Sequence, residues 1–151
     1  MAQGMLVSDN FFSGLGVRPL IGRLLGPDDE RDGAAPAVVI SYRWWEQQFD
    51  LDPNVLGQSV TLRGFSFTVV GVLPREFPGV RPGEGVEFYA LLSAHPQLHP
   101  NLSSGSGAGF DPWVVPLMAR LKPGVSDDQF QAALTVAFAR EAETVIKTPR
   151  V

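Results

Sequence analysis

Two histidines are the residues in this chain whose spacing could most simply hold a metal ion. His95 and His99 are four residues apart, which on a helix would place both imidazoles on one face, and Asp111 could supply a third ligand. Pro96 and Pro100 follow the two histidines directly, and proline favours a turn or an extended backbone. We therefore interpret this segment as a surface loop and predict no metal site.

A cluster of carboxylates could bind a hard cation. Residues 28–30 are all acidic and Asp32 follows, but the order lacks the glycine-centred spacing of a calcium loop. A solvated acidic loop is the better interpretation. Arg23 and Arg75 each lie at a glycine or proline corner beside acidic residues, and we expect salt bridges there in preference to anion binding.

Nothing in the sequence assembles a nucleophile or a phosphate loop. Ser13, Ser41 and Ser126 lack an elbow motif, and the only possible histidine bases lie in the 95–99 segment. Residues 105–109 alternate glycine with small residues, but no strand precedes them and no lysine follows, so a linker is favoured. The chain has no cysteine. We predict that the protein is not an enzyme and binds no cofactor.

Adjacent tryptophans offer the main alternative to a purely structural role. Trp44 and Trp45 point about 100° apart on a helix, so burying one leaves the other partly exposed. Trp45 shares a face with Tyr42 and Phe49 and is expected in the core. Trp44 could contact a partner or pack inside the domain, and we favour packing.

Composition narrows the class of protein. The chain has 151 residues and a net charge of −4, and its basic residues are scattered, which argues against nucleic-acid binding. No apolar run approaches the roughly 18–20 residues that span a bilayer, and the first residues lack the features of a signal peptide. We expect a soluble piece of a longer protein. The 16 glycines and 13 prolines favour short elements joined by many turns.

Local patterns predict an α+β fold. In the first half we expect a strand over 3–7, a short helix capped by Ser8 and ended by Gly16, a buried strand over 37–40, and a helix over 42–49 capped by Ser41. In the second half we expect a hairpin over 59–73 with a turn near Gly64, a strand over 86–92, a mobile loop over 93–111, a strand over 113–121, and a helix to about 145 that opens on a capping box, Ser126 with Gln129.

Several short segments, in this order along the chain, resemble a known family. They are Val-Ser-Asp-Asn-Phe-Phe (7–12), Leu-Gly-Val-Arg-Pro (15–19), Gly-Arg-Leu (22–24), residues 37–45, 49–53, 55–57, Phe-Thr-Val-Val-Gly-Val-Leu-Pro (67–74) and 119–126. No single segment is specific, but the ordered set resembles the MacB-like periplasmic core domain of ABC transporter permeases of the MacB/FtsX type, especially permeases of the acidobacterial type. Asp9 departs from the family pattern, which usually has glycine there.

The resemblance implies a fold and a setting. Such domains lie between two transmembrane helices of a permease, on the periplasmic side of the inner membrane. They combine a small mixed α/β porter-like layer with an inserted β-rich subdomain. The chain, 1–151, would be a single fragment, with the porter-like part at about 1–16 and 111–147 and the inserted subdomain at about 17–110.

The resemblance also implies partners and a role. The domain would be non-catalytic and would transmit conformational change from a cytoplasmic ATPase, through the transmembrane helices, to a partner or substrate outside the membrane. Because family domains carry a further strand–helix–strand portion before the matching segment, we expect that part of the porter-like layer is missing. An exposed sheet edge would then favour a homodimer.

Structural or interaction candidates follow from this hypothesis. The expected junction between core and insert is formed by Asn10, Phe11, Phe12, Gly16, Gly22 and Arg23, and the core of the insert by Trp45, Phe49, Phe67 and Val69, with Trp44 as the further contact candidate. The alternative is a free-standing extracytoplasmic ligand-binding module with a pocket near the 93–111 loop.

Overall fold

The structure is a computed structural model that describes residues 2–81, 83–94, 98 and 116–147, the last seven by their backbone alone. The chain forms two compact units, residues 1–110 and residues 111–151. The predicted histidine pair, the glycine-rich 105–109 segment, Asp111 and Trp113 lie outside the described residues.

Among the described residues, the elements with defined bounds are a six-stranded sheet and two helices in the first unit, and one long helix in the second. The elements are β1 (Gly4–Val7), α1 (Phe11–Leu15), β2 (Ile21–Gly22), β3 (Ala37–Ile40), α2 (Tyr42–Phe49), β4 (Ser59–Leu62), β5 (Phe65–Val72), β6 (Phe88–Leu91) and α3 (Asp127–Lys147). This mixed content confirms the predicted α+β class.

The sheet is mixed, with strand order β1-β6-β3-β5-β2 and β4 paired to β5. The β1–β6 and β3–β5 pairs are parallel, whereas the other pairs are antiparallel. The hairpin prediction is confirmed, since β4 and β5 pair through a turn at Arg63 and Gly64. β1 belongs to the predicted porter-like part and β6 to the predicted insert, yet the two strands pair within one sheet. The boundary predicted near residue 16 therefore does not separate two sheets, and it stays a prediction.

Apolar side chains cover both faces of this sheet. One cluster joins α2 to Ile40, Phe67 and Val69, and the other joins Phe12 to Val39 and Tyr89. All four residues of β3 are buried because this strand lies inside the sheet, with a cluster on either face. Burying both faces gives the first unit a continuous core on each side of the sheet.

The start of α1 differs from its prediction. Asn10, not Ser8, is the N-cap, and its side chain makes no cap hydrogen bond. The Ser8 hydroxyl donates to the Asn10 side chain over 2.7 Å, and the Ser8 carbonyl accepts the Phe11 amide in a preceding turn. Since the Ser8 side chain is engaged in this turn, the helix begins two residues later. Its end is as predicted, with Gly16 in the left-handed conformation at φ 70°.

The other predicted caps are confirmed. The Ser41 hydroxyl accepts the Trp44 amide over 3.2 Å, which fixes the first turn of α2. At the start of α3, the Gln129 amide donates to the Ser126 hydroxyl and the Ser126 amide donates to the Gln129 side chain, at 3.2 and 3.1 Å. Both serine side chains therefore stabilise the first turn of a helix.

The predicted strand over 113–121 is wrong for its described part. Residues 116–121 adopt no regular structure and are exposed or half-buried. A strand is stable only beside a partner that takes up its backbone groups, and no strand is found in the described part of the second unit. Alternating apolar residues alone could not reveal whether a partner strand was available.

Candidate functional site

The aromatic pair on α1 anchors this five-residue helix to the sheet. The Phe12 ring meets the Tyr89 ring edge-on at 5.4 Å, and the Phe11 ring stacks on Tyr89 at 6.1 Å. Phe77 completes the group, 6.3 Å from Phe12. Phe12 and Tyr89 are 1% and 2% exposed. We call these four residues the aromatic cluster. Because a five-residue helix is not stable by itself, this packing is what fixes the position of α1.

Asn10 and Gly16 mark the two ends of α1. The Asn10 carbonyl accepts the Gly14 amide over 2.8 Å and the Ser13 hydroxyl over 3.0 Å. The Gly16 amide donates to the Ser13 carbonyl over 3.1 Å. These hydrogen bonds involve backbone groups and the Ser13 hydroxyl, and they shape the two ends of α1. Asn10 and Gly16 therefore position this helix.

Gly22 and Arg23 lie beside β5, where β2 pairs with it. Gly22 pairs with Gly71, and the Arg23 amide donates to the Val70 carbonyl over 2.9 Å. A Cβ on Gly71 would overlap the Arg23 carbonyl, and one on Gly22 would overlap the Val70 carbonyl. Glycine is needed at both positions because the two backbones approach closely.

A two-point ion pair holds the next corner. The Arg23 guanidinium donates to both carboxylate oxygens of Asp29, at 2.7 and 2.6 Å, and the Gly26 amide donates to the same carboxylate over 3.0 Å. The Asp29 side chain is only 6% exposed, whereas that of Arg23 is 54% exposed. The predicted Arg23 salt bridge is confirmed.

The ion pair also corrects the acidic-loop interpretation. Hydrogen bonding from Arg23, against the opposing effect of burial and with help from the Gly26 amide, lowers the pKa of Asp29. Asp29 is thus a buried and bound carboxylate, while Asp28 remains exposed beside Arg31. Residues 27–30 form a 3-10 turn around this contact.

Arg75 does not form the expected salt bridge. Its guanidinium lies 5.5 Å from the centre of the Tyr42 ring, in a cation–π arrangement. Within the described residues, no carboxylate pairs with it. Arg75 therefore contacts the Tyr42 ring where a carboxylate was expected.

Both tryptophans of α2 pack inside the domain. Trp45 is 8% exposed, lies 5.8 Å from the Tyr42 ring, and donates its indole N–H to the Asp52 carbonyl over 2.8 Å. Trp44 is 9% exposed and contacts the rings of Phe49 and Phe88 at 5.8 and 6.0 Å. The favoured interpretation of Trp44 as a packing residue agrees with its burial.

The predicted candidates do not converge on one site. Phe12 and the segment after Arg23 belong to the cluster on one face of the sheet, and the two tryptophans belong to the cluster on the other. Sequence reasoning missed Tyr89, which contacts Phe11, Phe12 and Phe77 at once. Its only signal was a tyrosine within the apolar run over 86–92.

These features define a class of protein: a mixed α/β domain whose six-stranded sheet packs apolar side chains on both faces. The fold is similar to the crystal structure of the periplasmic region of MacB from Actinobacillus actinomycetemcomitans, with a TM-score of 0.61 and 16% sequence identity. The match covers 98% of this chain and 67% of that one. No curated protein sequence matches the chain.

The chain belongs to the family of MacB-like periplasmic core domains, whose model matches residues 1–137. It is therefore an extracytoplasmic domain of an ABC transporter permease, on the periplasmic side of the inner membrane and within a membrane protein. Among the residues that the structure describes, no helix is both long and apolar enough to cross a membrane.

Proposed function

We propose that this domain transmits conformational change from the membrane part of the permease to a partner or substrate in the periplasm. The movement would begin at a cytoplasmic ATPase and pass through the flanking transmembrane helices. The observation that carries this proposal is a sheet packed on both faces, within a chain that matches the family over residues 1–137. A close-packed core transmits strain because it is hard to compress.

The junction residues support the same role. Phe11 and Phe12 attach α1 to the sheet, and Arg23, which follows β2, ties the sheet to the 3-10 turn through Asp29. The aromatic contacts link α1, at the predicted boundary, to the sheet, and the ion pair links the 3-10 turn to the residue after β2. A displacement of α1 or β2 would therefore move the sheet with it and would not be absorbed in a loop.

We propose further that the domain acts without catalysis. The serines that could serve as nucleophiles have other partners: Ser41 and Ser126 cap helices, and the Ser13 hydroxyl donates to the Asn10 carbonyl. The buried carboxylate of Asp29 is held in its ion pair with Arg23. These engagements favour a mechanical use of the polar residues.

Two copies of the domain are proposed to work together in the permease. β1 lies at one end of the strand order, so one side of its backbone faces no other described strand. Such an edge can accept a strand from another chain or another segment. A pair of domains would let one permease dimer present two moving surfaces.

Hydrogen exchange in the complete transporter tests the transmission role. The permease would be reconstituted with its ATPase in lipid nanodiscs and compared without nucleotide and trapped with ADP-vanadate. We expect altered exchange at β1, α1 and β2, which join the predicted boundary to the sheet. A hydrolysis-deficient ATPase variant, incubated with ATP and vanadate, is the control. Identical exchange of this domain in both states would overturn the proposal.

A further inference from the structure

A groove of about 440 Å³ lies at the end of the sheet where two parallel strands finish. β3 ends at Ile40 and is followed by Ser41 and α2, and β5 ends at Val72 and leads to Arg75. In open sheets, the carboxyl ends of parallel strands are where ligands bind. The volume falls within the roughly 300–1,000 Å³ of small-molecule sites. We call it the β3–β5 groove.

The start of α2 supplies hydrogen-bond donors to this groove. α2 has eight residues, and Ser41, Tyr42 and Arg43 at its start all line the groove. Ser41 takes up the amides of Trp44 and Trp45, through its hydroxyl and its carbonyl. The amides of Tyr42 and Arg43 find no acceptor among the described residues. The first amides of a helix favour negative charge.

Two guanidinium groups line the same space. Arg75 lies over the Tyr42 ring, and a Cβ placed on Gly85 would be 3.5 Å from Nη1 of Arg43. In the described part of the chain, neither arginine has a carboxylate partner. Two glutamates also line the groove, Glu46 and Glu84, and Glu84 is paired with Arg81 at 3.1 Å.

A buried hydroxyl without a partner is the independent sign of a ligand. Tyr89 lines the groove and is 2% exposed, yet its hydroxyl makes no hydrogen bond with any described residue. The hydroxyl lies next to Gly79, where an added Cβ would be 3.3 Å away. Buried polar groups are nearly always hydrogen-bonded, so this one calls for an explanation.

The tyrosine is suited to donate. Burial, with the charge of Glu84 adding to it, raises the pKa of Tyr89 to about 12. The hydroxyl carries its proton at neutral pH, as a tyrosine with the ordinary pKa of about 10 also does. Together with the two guanidinium groups and the helix amides, it makes the groove rich in donors, and the matching ligand is an acceptor with negative charge.

We propose that the β3–β5 groove binds a small organic oxyanion, a carboxylate or a phosphate monoester, through the Tyr89 hydroxyl, the Arg43 guanidinium and the first amides of α2. Arg75 adds a second positive charge at the rim. This ligand site goes beyond the transmission role and does not depend on it. It also differs from the pocket predicted near residues 93–111, most of which lie outside the described residues.

An NMR titration of the 151-residue chain tests the proposal. Inorganic phosphate and succinate would be added separately, each at constant ionic strength set with chloride. We expect saturable shifts at the amides of Tyr42, Arg43 and Gly79 with at least one anion, and the anion that binds more tightly identifies the chemistry. Shifts that stay linear into the tens of millimolar with both anions, or that chloride reproduces, would overturn it.

Matched variants locate the site. Tyr89→Phe removes only the hydroxyl and keeps the ring in the aromatic cluster, and Arg43→Gln removes one charge. Each is expected to weaken binding about tenfold, as the loss of one hydrogen bond to a charged ligand predicts. Arg18→Gln changes an exposed arginine outside the groove and is expected to bind as the wild type does. Wild-type affinity in Tyr89→Phe would refute the assignment.

Thermal unfolding without any anion gives a second readout. Because the Tyr89 hydroxyl is buried without a partner, its removal is expected to raise the midpoint of unfolding of Tyr89→Phe above that of the wild type. A lower midpoint would show that the hydroxyl already has a protein partner. The main evidence for a ligand in the groove would then be lost. This measurement separates a failure to bind from a failure to fold.

Discussion

At the residue scale, Asp29 shows how one carboxylate can fix a corner of the chain. Its neighbours Asp28 and Glu30 have the same charge, and the sequence made all three look like a solvated loop. Only Asp29 is turned inward, where Arg23 and the Gly26 amide reach it. The difference depends on how β2 leads into the 3-10 turn. Composition could predict the Arg23 salt bridge but not which acid would form it.

Asp29→Asn is expected to lower the free energy of unfolding by about 1–2 kcal/mol at pH 7, the range for a hydrogen-bonded charged group with a partly exposed partner. Since the native pKa of Asp29 is lowered, its contribution is present above the unfolded-state value, near 4, and is lost as pH falls through the native value. Urea denaturation from pH 7 to pH 2 should show the difference between the two proteins shrinking below about pH 4.

Asp28→Asn is the matched control for this prediction. Asp28 pairs with Arg31 at 2.8 Å, but both side chains are more than three-quarters exposed. Such pairs contribute little, so the variant should stay within about 0.5 kcal/mol of the wild type. Equal effects of the two substitutions, or a difference that does not shrink as the pH falls below about 4, would contradict the role given to Asp29.

At the element scale, the sequence predicts what depends on neighbours along the chain. The ends of α2, the capping box of α3 and the β4–β5 hairpin are all set by residues within a few positions of one another. The predictions that failed depend on residues that are far apart in the sequence. The strand expected over 113–121 needed a partner strand, and the groove needed β3 to lie parallel to β5, which no local pattern indicates.

Arg63→Asn is expected to stabilise the hairpin by about 0.5–1 kcal/mol. Arg63 and Gly64 form its two-residue turn with φ of 50° and 88°, and asparagine adopts such positive angles more readily than arginine does. Gly64→Ala is the control of opposite sign, because a Cβ there meets open space and the backbone angle alone opposes it. Chemical denaturation of the three proteins gives the order, and a destabilised Arg63→Asn would contradict the turn assignment.

At the scale of the whole molecule, the resemblance to a known family predicted more about this protein than the chemistry of its individual residues did. The ordered segments identified the family, which the match over residues 1–137 confirms, although no single segment was specific. The aromatic cluster shows why residue chemistry alone fell short. Phe11 and Phe12 were recognised as an anchor, but Phe77 and Tyr89 come from distant parts of the chain. The partners of an anchor cannot be deduced until the topology is known.

The most direct test of the central claim is a distance measurement in the complete transporter. The chain has no cysteine, so Gln48→Cys on the exposed side of α2 introduces a single spin-label site in each copy of this domain. Pulsed electron paramagnetic resonance would compare the permease and its ATPase without nucleotide and trapped with ADP-vanadate. We expect the distance between the spin labels of the two copies to shift by several ångströms on trapping. The same distribution in both states, or no distance between copies in either, would contradict it.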